Sequence, residues 1–375
     1  MPGHEFIPVC EPLLAGKEME YVTEALRTGW ISSSGRFVAE FEKKFAEYCG
    51  VEFAVTTNTG TSALHVACVA AGIGKGDEVI IPTFTMIATA FAVCYCNGIP
   101  VFVDCDRETW NIDVTKIEEK ITPRTKAILP VHIYGHPCDM DPIVELAKEY
   151  NLVIIEDAAE VHGAEYKGRK CGSLGDMGCF SFFANKVIAS GEGGMVVTDK
   201  EDLYNRCRYY RNLAFPLDST RAYIHEHIGF NYRMSNVTAA IGLAQTEKAD
   251  EYGERRRENA RLYNDRLLAV KGVTTQQEKD WAKSVYWMYS ILIEDEFGMS
   301  RDEVMVKLRK RGIDSRSFFV PMHMQPSLKG YGCDCSGDYP VSEKISRKGL
   351  YLPSGSGLRK EQIDYICESL IRLKR

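Results

Sequence analysis

The sequence predicts an α/β protein with a mixed, mostly parallel central sheet flanked by helices, followed by a smaller C-terminal α+β domain. Between residues 50 and 200, short β-branched runs alternate with amphipathic segments, which is the pattern of successive βαβ units. Two later apolar runs follow each other without a long helix between them, so we expect some antiparallel pairing. After Ser235 one long segment of helical periodicity replaces the alternation, which predicts a bridge to a second unit.

The elements follow from these patterns in chain order. The first domain has predicted strands at residues 52–57, 78–81, 101–104, 127–131, 152–156, 178–183 and 194–198, and predicted helices at 61–71, 85–97, 114–121 and 140–150. The long helix after Ser235 is expected to pass residue 257, followed by a strand at 286–293 and helices at 301–311 and 360–373. We place a domain boundary near residue 250, which divides the chain into residues 1–250 and 251–375.

The composition limits the function classes. The 375 residues carry 46 Lys and Arg against 52 Asp and Glu, a net charge of −6, and 45% are hydrophobic. This composition excludes a disordered chain, and a mildly acidic balance argues against a nucleic-acid partner. No apolar run approaches the roughly 20 residues that span a bilayer, and the N-terminal residues lack the features of a signal peptide. We therefore expect a cytoplasmic protein without a membrane contact.

The cysteines indicate neither disulfide bonds nor a metal site. There are 13, scattered and without a CxxC motif, so neither a disulfide framework nor a four-thiolate zinc site is predicted. Two CxC pairs occur, Cys94 with Cys96 in a predicted buried helix and Cys333 with Cys335 in a predicted loop. A metal site formed by the second pair and His323 would need further ligands, so no metal is predicted.

Two glycine-containing segments are candidates for binding phosphate. Residues 72–77 resemble a dinucleotide fingerprint, but they follow a helix and precede a strand, which is the wrong order, and they predict a helix-ending turn. Residues 58–64 have the required order of strand, turn and helix, with Gly60 beside two hydroxyl residues. Backbone N–H groups at such a helix start bind anions, although simple capping by Thr61 or Ser62 is an equal alternative.

Carboxylates and a lysine complete a possible site. Asp157 and Glu160 follow an apolar strand at the edge where open α/β sheets bind ligands. Lys186 lies between a predicted strand and the glycine-rich residues 190–194. Alone, the lysine is typical of a solvated charge and the acids of caps or ion-pair partners. A phosphate cradle, an acid for a pyridinium nitrogen and a lysine are together the groups that pyridoxal phosphate needs.

Several segments, in the same order along the chain, resemble the DegT/DnrJ/EryC1/StrS family of sugar-nucleotide aminotransferases. The family has the fold-type I architecture of enzymes that use pyridoxal phosphate (PLP). The resemblance runs from about residue 6 to the C-terminus and depends on residues 30–35, 58–64, 156–160, 181–194 and 229–234. Within the family, the region around Trp30, residues 130–140 and Glu160 are most similar to members that act on GDP-linked sugars.

The resemblance implies roles for individual residues. Lys186 is expected to bind the cofactor covalently, and Asp157 to hold its pyridinium nitrogen. The other implied positions are Gly60, Thr61, Ser62 and Ser181 around the phosphate, Glu160 near the ring hydroxyl, Asn231 and Arg233 at the cofactor of a neighbouring subunit, and Trp30, Ser32 and His323 toward the sugar. A homodimer with shared active sites is therefore expected. For His323 a packed or solvent-facing side chain is an equal alternative.

One position departs from the family pattern. An aromatic residue usually stacks on the pyridine ring after the third strand, and this chain has Met86 there. A thioether packs well on a ring, so Met86 is the expected contact, with substitution by Phe84 or a plain core role for Met86 as alternatives.

The resemblance also implies a reaction. An amino group from L-glutamate is expected to reach C4 of a 4-keto-6-deoxy sugar linked to a nucleoside diphosphate, with GDP as the best choice. Amination at C3, or a UDP- or dTDP-linked sugar, is the alternative among enzymes. The alternative from another class is a non-catalytic binding or regulatory protein with the same fold. The presence of Asp157, Ser181 and Lys186 together argues against that last possibility.

Overall fold

The computed structural model describes residues 6–217 and 223–374. The α-helices in these residues are α1 (Glu18–Thr28), α2 (Arg36–Cys49), α3 (Gly60–Ala70), α4 (Ile87–Tyr95), α5 (Met140–Glu149), α6 (Glu201–Arg211), α7 (Asn236–Thr246), α8 (Ala249–Leu267), α9 (Arg301–Arg309), α10 (Pro326–Tyr331), α11 (Pro340–Lys348) and α12 (Lys360–Ile371). The strands are β1 (Phe53–Thr57), β2 (Glu78–Pro82), β3 (Ile99–Val103), β4 (Thr125–Ile128), β5 (Val153–Asp157), β6 (Glu165–Tyr166), β7 (Arg169–Lys170), β8 (Met177–Ser181), β9 (Gly194–Thr198), β10 (Val273–Thr275), β11 (Ala282–Lys283), β12 (Tyr289–Ile293), β13 (Arg316–Ser317) and β14 (Gly349–Leu352).

The largest sheet has seven strands in the order β1-β9-β8-β5-β4-β2-β3. Strands β3, β2, β4, β5 and β8 run parallel, whereas β9 is antiparallel to both β8 and β1. The prediction of a mixed, mostly parallel sheet flanked by helices is therefore confirmed. Because β5 and β8 are parallel neighbours, their last residues, Asp157 and Ser181, end at the same edge of the sheet.

A second sheet of four antiparallel strands, in the order β10-β12-β14-β13, forms in the C-terminal part of the chain. Its core includes Tyr263 of α8, Ile291 of β12 and Ile366 of α12, all fully buried. Helix α8 begins at Ala249, next to the predicted boundary near residue 250, and that boundary stays a prediction. The short β11 returns to the first part of the chain, where it pairs with β6.

Two predicted helices differ from the structure. The segment predicted at 114–121 forms two short 3₁₀ helices, Val114–Lys116 and Glu118–Lys120. Ile117, between the two turns, is buried, so the segment keeps an apolar contact with the core although it does not form one continuous α-helix. The long helix after Ser235 is broken between α7 and α8, where Lys248 leaves the helical conformation (φ −113°, ψ 6°).

None of the helices in the described ranges combines the length and the apolar character that crossing a membrane requires.

Candidate active site

A cavity of about 360 Å³ lies at the edge of the large sheet where β5 and β8 end. This is the edge at which parallel strands of open α/β sheets present ligand-binding residues. Seven of the predicted site residues line the cavity: Gly60, Thr61, Met86, Asp157, Glu160, Ser181 and Lys186. Four segments that are far apart in sequence therefore converge on one space. Their roles toward a cofactor stay predictions.

Lys186 is held at the cavity by a turn after β8, in which its backbone N–H donates to the carbonyl of Phe183 at 2.9 Å. Its Nζ lies 3.7 Å from Oε1 of Glu160 and 3.6 Å from the centroid of the Trp287 ring. Only 10% of the side chain is exposed. Burial lowers the pKa of Lys186, so this amine gives up its proton more readily than a lysine in water.

Asp157 is the last residue of β5, and it is 5% exposed. Its Oδ2 accepts a hydrogen bond from the hydroxyl of Thr89 at 2.8 Å, and its Oδ1 accepts one from the N–H of Ala159 at 3.2 Å. Burial raises the pKa of Asp157 from its ordinary value, and the nearby Lys186 opposes that shift. The carboxyl group has lone pairs left for a donor in the cavity.

Glu160 lies shortly after Asp157 in the loop that follows β5, and it is 5% exposed. Its Oε2 accepts the backbone N–H of Tyr134 at 2.8 Å, while Oε1 faces Lys186. Burial raises the pKa of Glu160 to about 7, against the opposing attraction of the Lys186 ammonium. Burial therefore opposes the charged form of both Glu160 and Lys186, while their mutual attraction favours it.

Glu156 precedes Asp157 in β5 and, because side chains alternate along a strand, lies on the other face of the sheet. It is fully buried and accepts four hydrogen bonds, from Nε2 of His132 at 2.9 Å and from the backbone N–H groups of Gly172, Leu174 and Gly175 at 2.6–2.7 Å. Glu156 therefore holds the loop before β8 in place and takes no part in the cavity.

The turn before α3 has the form of an anion site. Thr59 caps the helix, since its Oγ1 accepts the N–H of Ser62 at 3.1 Å. A Cβ at position 60 would lie 2.6 Å from Cβ of Ser181, so only glycine fits between the turn and β8. The hydroxyl of Ser62 donates to Oδ1 of Asn58 at 2.6 Å and does not line the cavity, so its expected contact with a phosphate stays a prediction.

Met86 and Phe84 were the two candidates for contact with a cofactor ring, and their side chains differ in position. Met86 lines the cavity and is 49% exposed, whereas Phe84 is fully buried against Tyr134 and Phe318. Phe84 is therefore a core residue and does not substitute for a stacking group at the cavity. The thioether of Met86 is the group that the structure offers at that position.

Four predicted residues, Trp30, Ser32, Asn231 and Arg233, do not line this cavity. They lie in two segments that hydrogen-bond to each other. Nε of Arg233 donates to Oγ of Ser33 at 3.2 Å, and Asn236 donates from its side chain to the carbonyl of Trp30 and from its backbone to that of Ser32, both at 2.6 Å. Trp30 is 59% exposed. The two segments are therefore adjacent to each other in the fold.

His323 is packed and is not among the residues that line the cavity, and its expected contact with the sugar stays a prediction. Its side chain is 7% exposed, stacks on Tyr339 at 4.4 Å between ring centroids and hydrogen-bonds through Nδ1 with the hydroxyl of Thr83 at 2.7 Å. Burial lowers the pKa of His323. In the described ranges no group of three or more His, Cys, Asp or Glu residues is arranged to hold a metal.

Several residues of the cavity wall were not predicted from the sequence. Trp287, Phe319 and Tyr351 line it from the C-terminal part of the chain, and Phe183 and Glu192 from either side of Lys186. The aromatic residues have no motif around them, because tertiary packing alone brings them to the site. Glu192 and Phe183 lie in the glycine-flanked segment, so their position next to Lys186 was the available signal.

The site fits PLP on the chemistry of its groups. A buried lysine with a lowered pKa, a buried carboxyl group with free lone pairs and a helix start that only glycine can form meet around one cavity. The family model for DegT/DnrJ/EryC1/StrS aminotransferases matches residues 12–371. The chain belongs to this family. It is therefore a PLP-dependent aminotransferase, and the alternative of a non-catalytic protein is set aside.

Individual relatives agree with this aminotransferase assignment. The chain is 47% identical to the GDP-perosamine synthase of Caulobacter vibrioides over 365 residues, 97% of each chain. It is 46% identical to the GDP-perosamine synthase of Escherichia coli O157:H7 over 366 residues, 98% of each chain. The crystal structure of S. venezuelae DesV in complex with a ketimine intermediate has a TM-score of 0.92 and 34% identity, and the match covers 99% of this aminotransferase and all of DesV.

Proposed function

We propose that this aminotransferase moves the amino group of L-glutamate to C4 of GDP-4-keto-6-deoxy-D-mannose, which gives GDP-perosamine. The observation that carries the reaction type is the buried Lys186 beside Glu160 in the cavity that Asp157 also lines. The identity of 46–47% to two GDP-perosamine synthases over nearly the whole chain supports the choice of substrate.

The chain's own groups divide the chemistry between them. Bound PLP supplies an electrophilic carbon and a ring that accepts the electron pair left when a proton leaves the carbon bearing the amino group. Asp157, when ionised, accepts the hydrogen bond of the protonated ring nitrogen and so favours that electron acceptance. Because the pKa of Lys186 is lowered, its amine is suited to accept a proton. We expect it to take the proton from the carbon that bears the donor's amino group and to deliver it to the electrophilic carbon of the cofactor.

The remaining cavity groups orient the reactants. The start of α3 at Gly60 and Thr61, together with Ser181, offers N–H and hydroxyl donors for a phosphate, and the helix dipole adds to the attraction. Glu160 lies where it can share a proton with Lys186. Phe183, Phe319 and Tyr351 give the cavity an aromatic wall, which reduces the contact of bound reactants with water.

The proposal is tested with a panel of sugar nucleotides. The purified enzyme is incubated with L-glutamate and GDP-, UDP- or dTDP-linked 4-keto-6-deoxy sugars, and the products are identified by mass spectrometry and NMR. We expect a 4-amino product with the GDP-linked sugar and at least tenfold slower reaction with the others. A faster reaction with a UDP- or dTDP-linked sugar, or amination at C3, would replace the proposed substrate but leave the transaminase chemistry in place.

We further propose a homodimer in which Asn231 and Arg233 reach the cofactor of the partner subunit. The proposal is supported by their position on one surface with Trp30 and Ser32, away from the lining of their own cavity. Asn231 is also exposed, so its amide is available to a second chain.

Mixed dimers test this arrangement. Lys186→Ala and Asn231→Asp variants with different tags are co-expressed, and doubly tagged dimers are purified. A carboxylate at position 231 repels a phosphate, so each parent should be inactive. One site of the mixed dimer then receives both intact residues, and about half of the wild-type activity per dimer is expected. Mixed dimers no more active than either folded parent would exclude a shared site.

A further inference from the structure

Arg256 in α8 is a buried cation without an acidic partner. Arg256 is only 2% exposed. Among residues 6–217 and 223–374, no carboxylate lies within ion-pair distance of its guanidinium group. Arginines this deeply buried normally pair with a carboxylate, because the loss of hydration is otherwise uncompensated. The neighbouring Arg255 is exposed and pairs with Glu251, as expected for a solvated helix face.

The guanidinium group instead binds the main chain around the catalytic lysine. Its N–H groups donate to the carbonyl of Lys186 at 3.3 Å, to the carbonyl of Asn185 at 3.4 Å and to the carbonyl of Trp287. Trp287 also donates from Nε1 to the carbonyl of Asn185 at 2.8 Å. Arg256 therefore fixes both the lysine and the ring that lies 3.6 Å from its Nζ. Only the fork of a guanidinium makes several such bonds at once.

The charge of Arg256 also acts on the Lys186 amine. Lys186 faces two groups that favour its protonated form, Asp157 and Glu160, and two influences that disfavour it, burial and Arg256. Four other titratable groups surround Lys186 and Arg256. Glu192 and Tyr351 lie in the cavity wall. Burial lowers the pKa of His162 to about 3, and Sγ of Cys10 accepts a hydrogen bond from Arg256 at 3.4 Å. Among these groups Arg256 is the one that keeps a positive charge at every working pH.

We propose that Arg256 is a positioning residue for Lys186: it clamps the main chain of the lysine loop through its hydrogen bonds, and its positive charge, which no carboxylate pairs, repels an added proton on the amine. The inference rests on the proposed role of Lys186. A carboxylate partner for Arg256 would cancel this effect, which explains why hydrogen bonds to carbonyls, Ser356 Oγ (3.1 Å) and Cys10 replace an ion pair.

The titration of Lys186 is read directly in the full-length protein after removal of its cofactor. The protein is exposed briefly to acetic anhydride at a series of pH values, and acetylation of Lys186 is quantified by peptide mass spectrometry. Arg256→Gln should raise the midpoint of this titration by about one pH unit, because one positive charge near the amine is lost. Arg255→Gln removes the same charge from the exposed face and should leave the midpoint unchanged.

A second pair of variants keeps Arg256 in place. Ser356 contacts Nε of Arg256 and is 4% exposed. Ser356→Asp supplies the missing carboxylate, so the Lys186 midpoint should rise by about half a unit or more. Ser356→Asn has a similar shape without the charge and should leave it unchanged. This pair decides the question if Arg256→Gln does not fold.

The outcomes are distinct. An unchanged Lys186 midpoint in folded Arg256→Gln, or in folded Ser356→Asp, would overturn the electrostatic role of Arg256. Equal shifts in Ser356→Asp and Ser356→Asn would assign the effect to packing and also overturn it. Because acetylation is measured without cofactor or substrate, these results do not depend on whether transamination of the proposed sugar succeeds.

Discussion

Glu156 and Asp157 are adjacent carboxylates of one strand, both buried, yet their surroundings differ. Glu156 accepts four hydrogen bonds on its face of the sheet. The proton on Nε2 of His132 is fixed there, because Nδ1 accepts the N–H of Cys138 at 2.9 Å. Asp157 accepts two hydrogen bonds and borders a cavity. A saturated carboxylate stabilises the fold, whereas an unsaturated one keeps binding capacity for a ligand.

The largest effect is expected from removal of the reactive amine on the cavity face. Lys186→Arg keeps the charge but cannot form the covalent bond to the cofactor or accept a proton, so activity should fall at least about 10⁴-fold. The rate of 2-oxoglutarate formation measures this loss. Thermal unfolding of the variant should stay near that of the wild type. Activity within tenfold of the wild type would show that Lys186 is not the catalytic lysine.

Asp157→Asn tests the unsaturated carboxylate itself. An amide cannot favour a protonated ring nitrogen, so conversion of the cofactor by glutamate should slow about 100-fold, as for loss of one electrostatic group. Stopped-flow absorbance of the cofactor gives this rate. If the rate were the same as in the wild type while PLP stayed bound, the ring nitrogen would have another partner.

Glu160→Gln sharpens the comparison through pH. Burial raises the pKa of Glu160 to about 7, so the wild-type group is protonated below that pH and ionised above it. Only ionised Glu160 can take a proton from Lys186 and so restore its neutral amine, and activity should therefore rise as the pH increases through about 7. The variant should lack this rise and be about threefold to tenfold slower at pH 8. A pH profile identical to that of the wild type would contradict this role.

The smallest effect on activity is expected on the opposite face. Glu156→Gln turns one acceptor into a donor that faces N–H groups, which should lower the free energy of unfolding by about 2–3 kcal/mol. Denaturant titration measures this change. The rate per folded molecule should stay within about twofold, because Glu156 does not line the cavity. A loss as large as that of Asp157→Asn in a stable protein would mean that the two carboxylates do not have separate roles.

Much of the fold and part of the site could be predicted from the sequence. The strands of the large sheet were predictable because buried parallel strands appear as continuous apolar runs. Helix α2 was missed, although Phe37, Phe41 and Phe45 recur at a spacing of four and are all buried. The break between α7 and α8 had no signal, since the polar-apolar periodicity continues through it.

The residues of the site also fall into those that could be predicted from the sequence and those that could not. Lys186, Asp157 and Gly60 lie in local motifs whose order along the chain suggested their chemistry, and all three line the cavity. Trp287 and Arg256 reach the lysine through tertiary contacts between distant segments, and no local pattern marks such residues. The packing of His323 is likewise set by Tyr339 and Thr83, which are distant from it in sequence.

The contact between Trp287 and Asn185 joins residues 102 positions apart, and Tyr351 closes the same cavity from still later in the chain. During synthesis the lysine segment therefore leaves the ribosome well before the residues that cover it. Because the cavity is lined by residues from Thr59 to Tyr351, we expect PLP to bind only a chain that is almost complete. Its binding free energy would then stabilise the finished protein and not the growing chain.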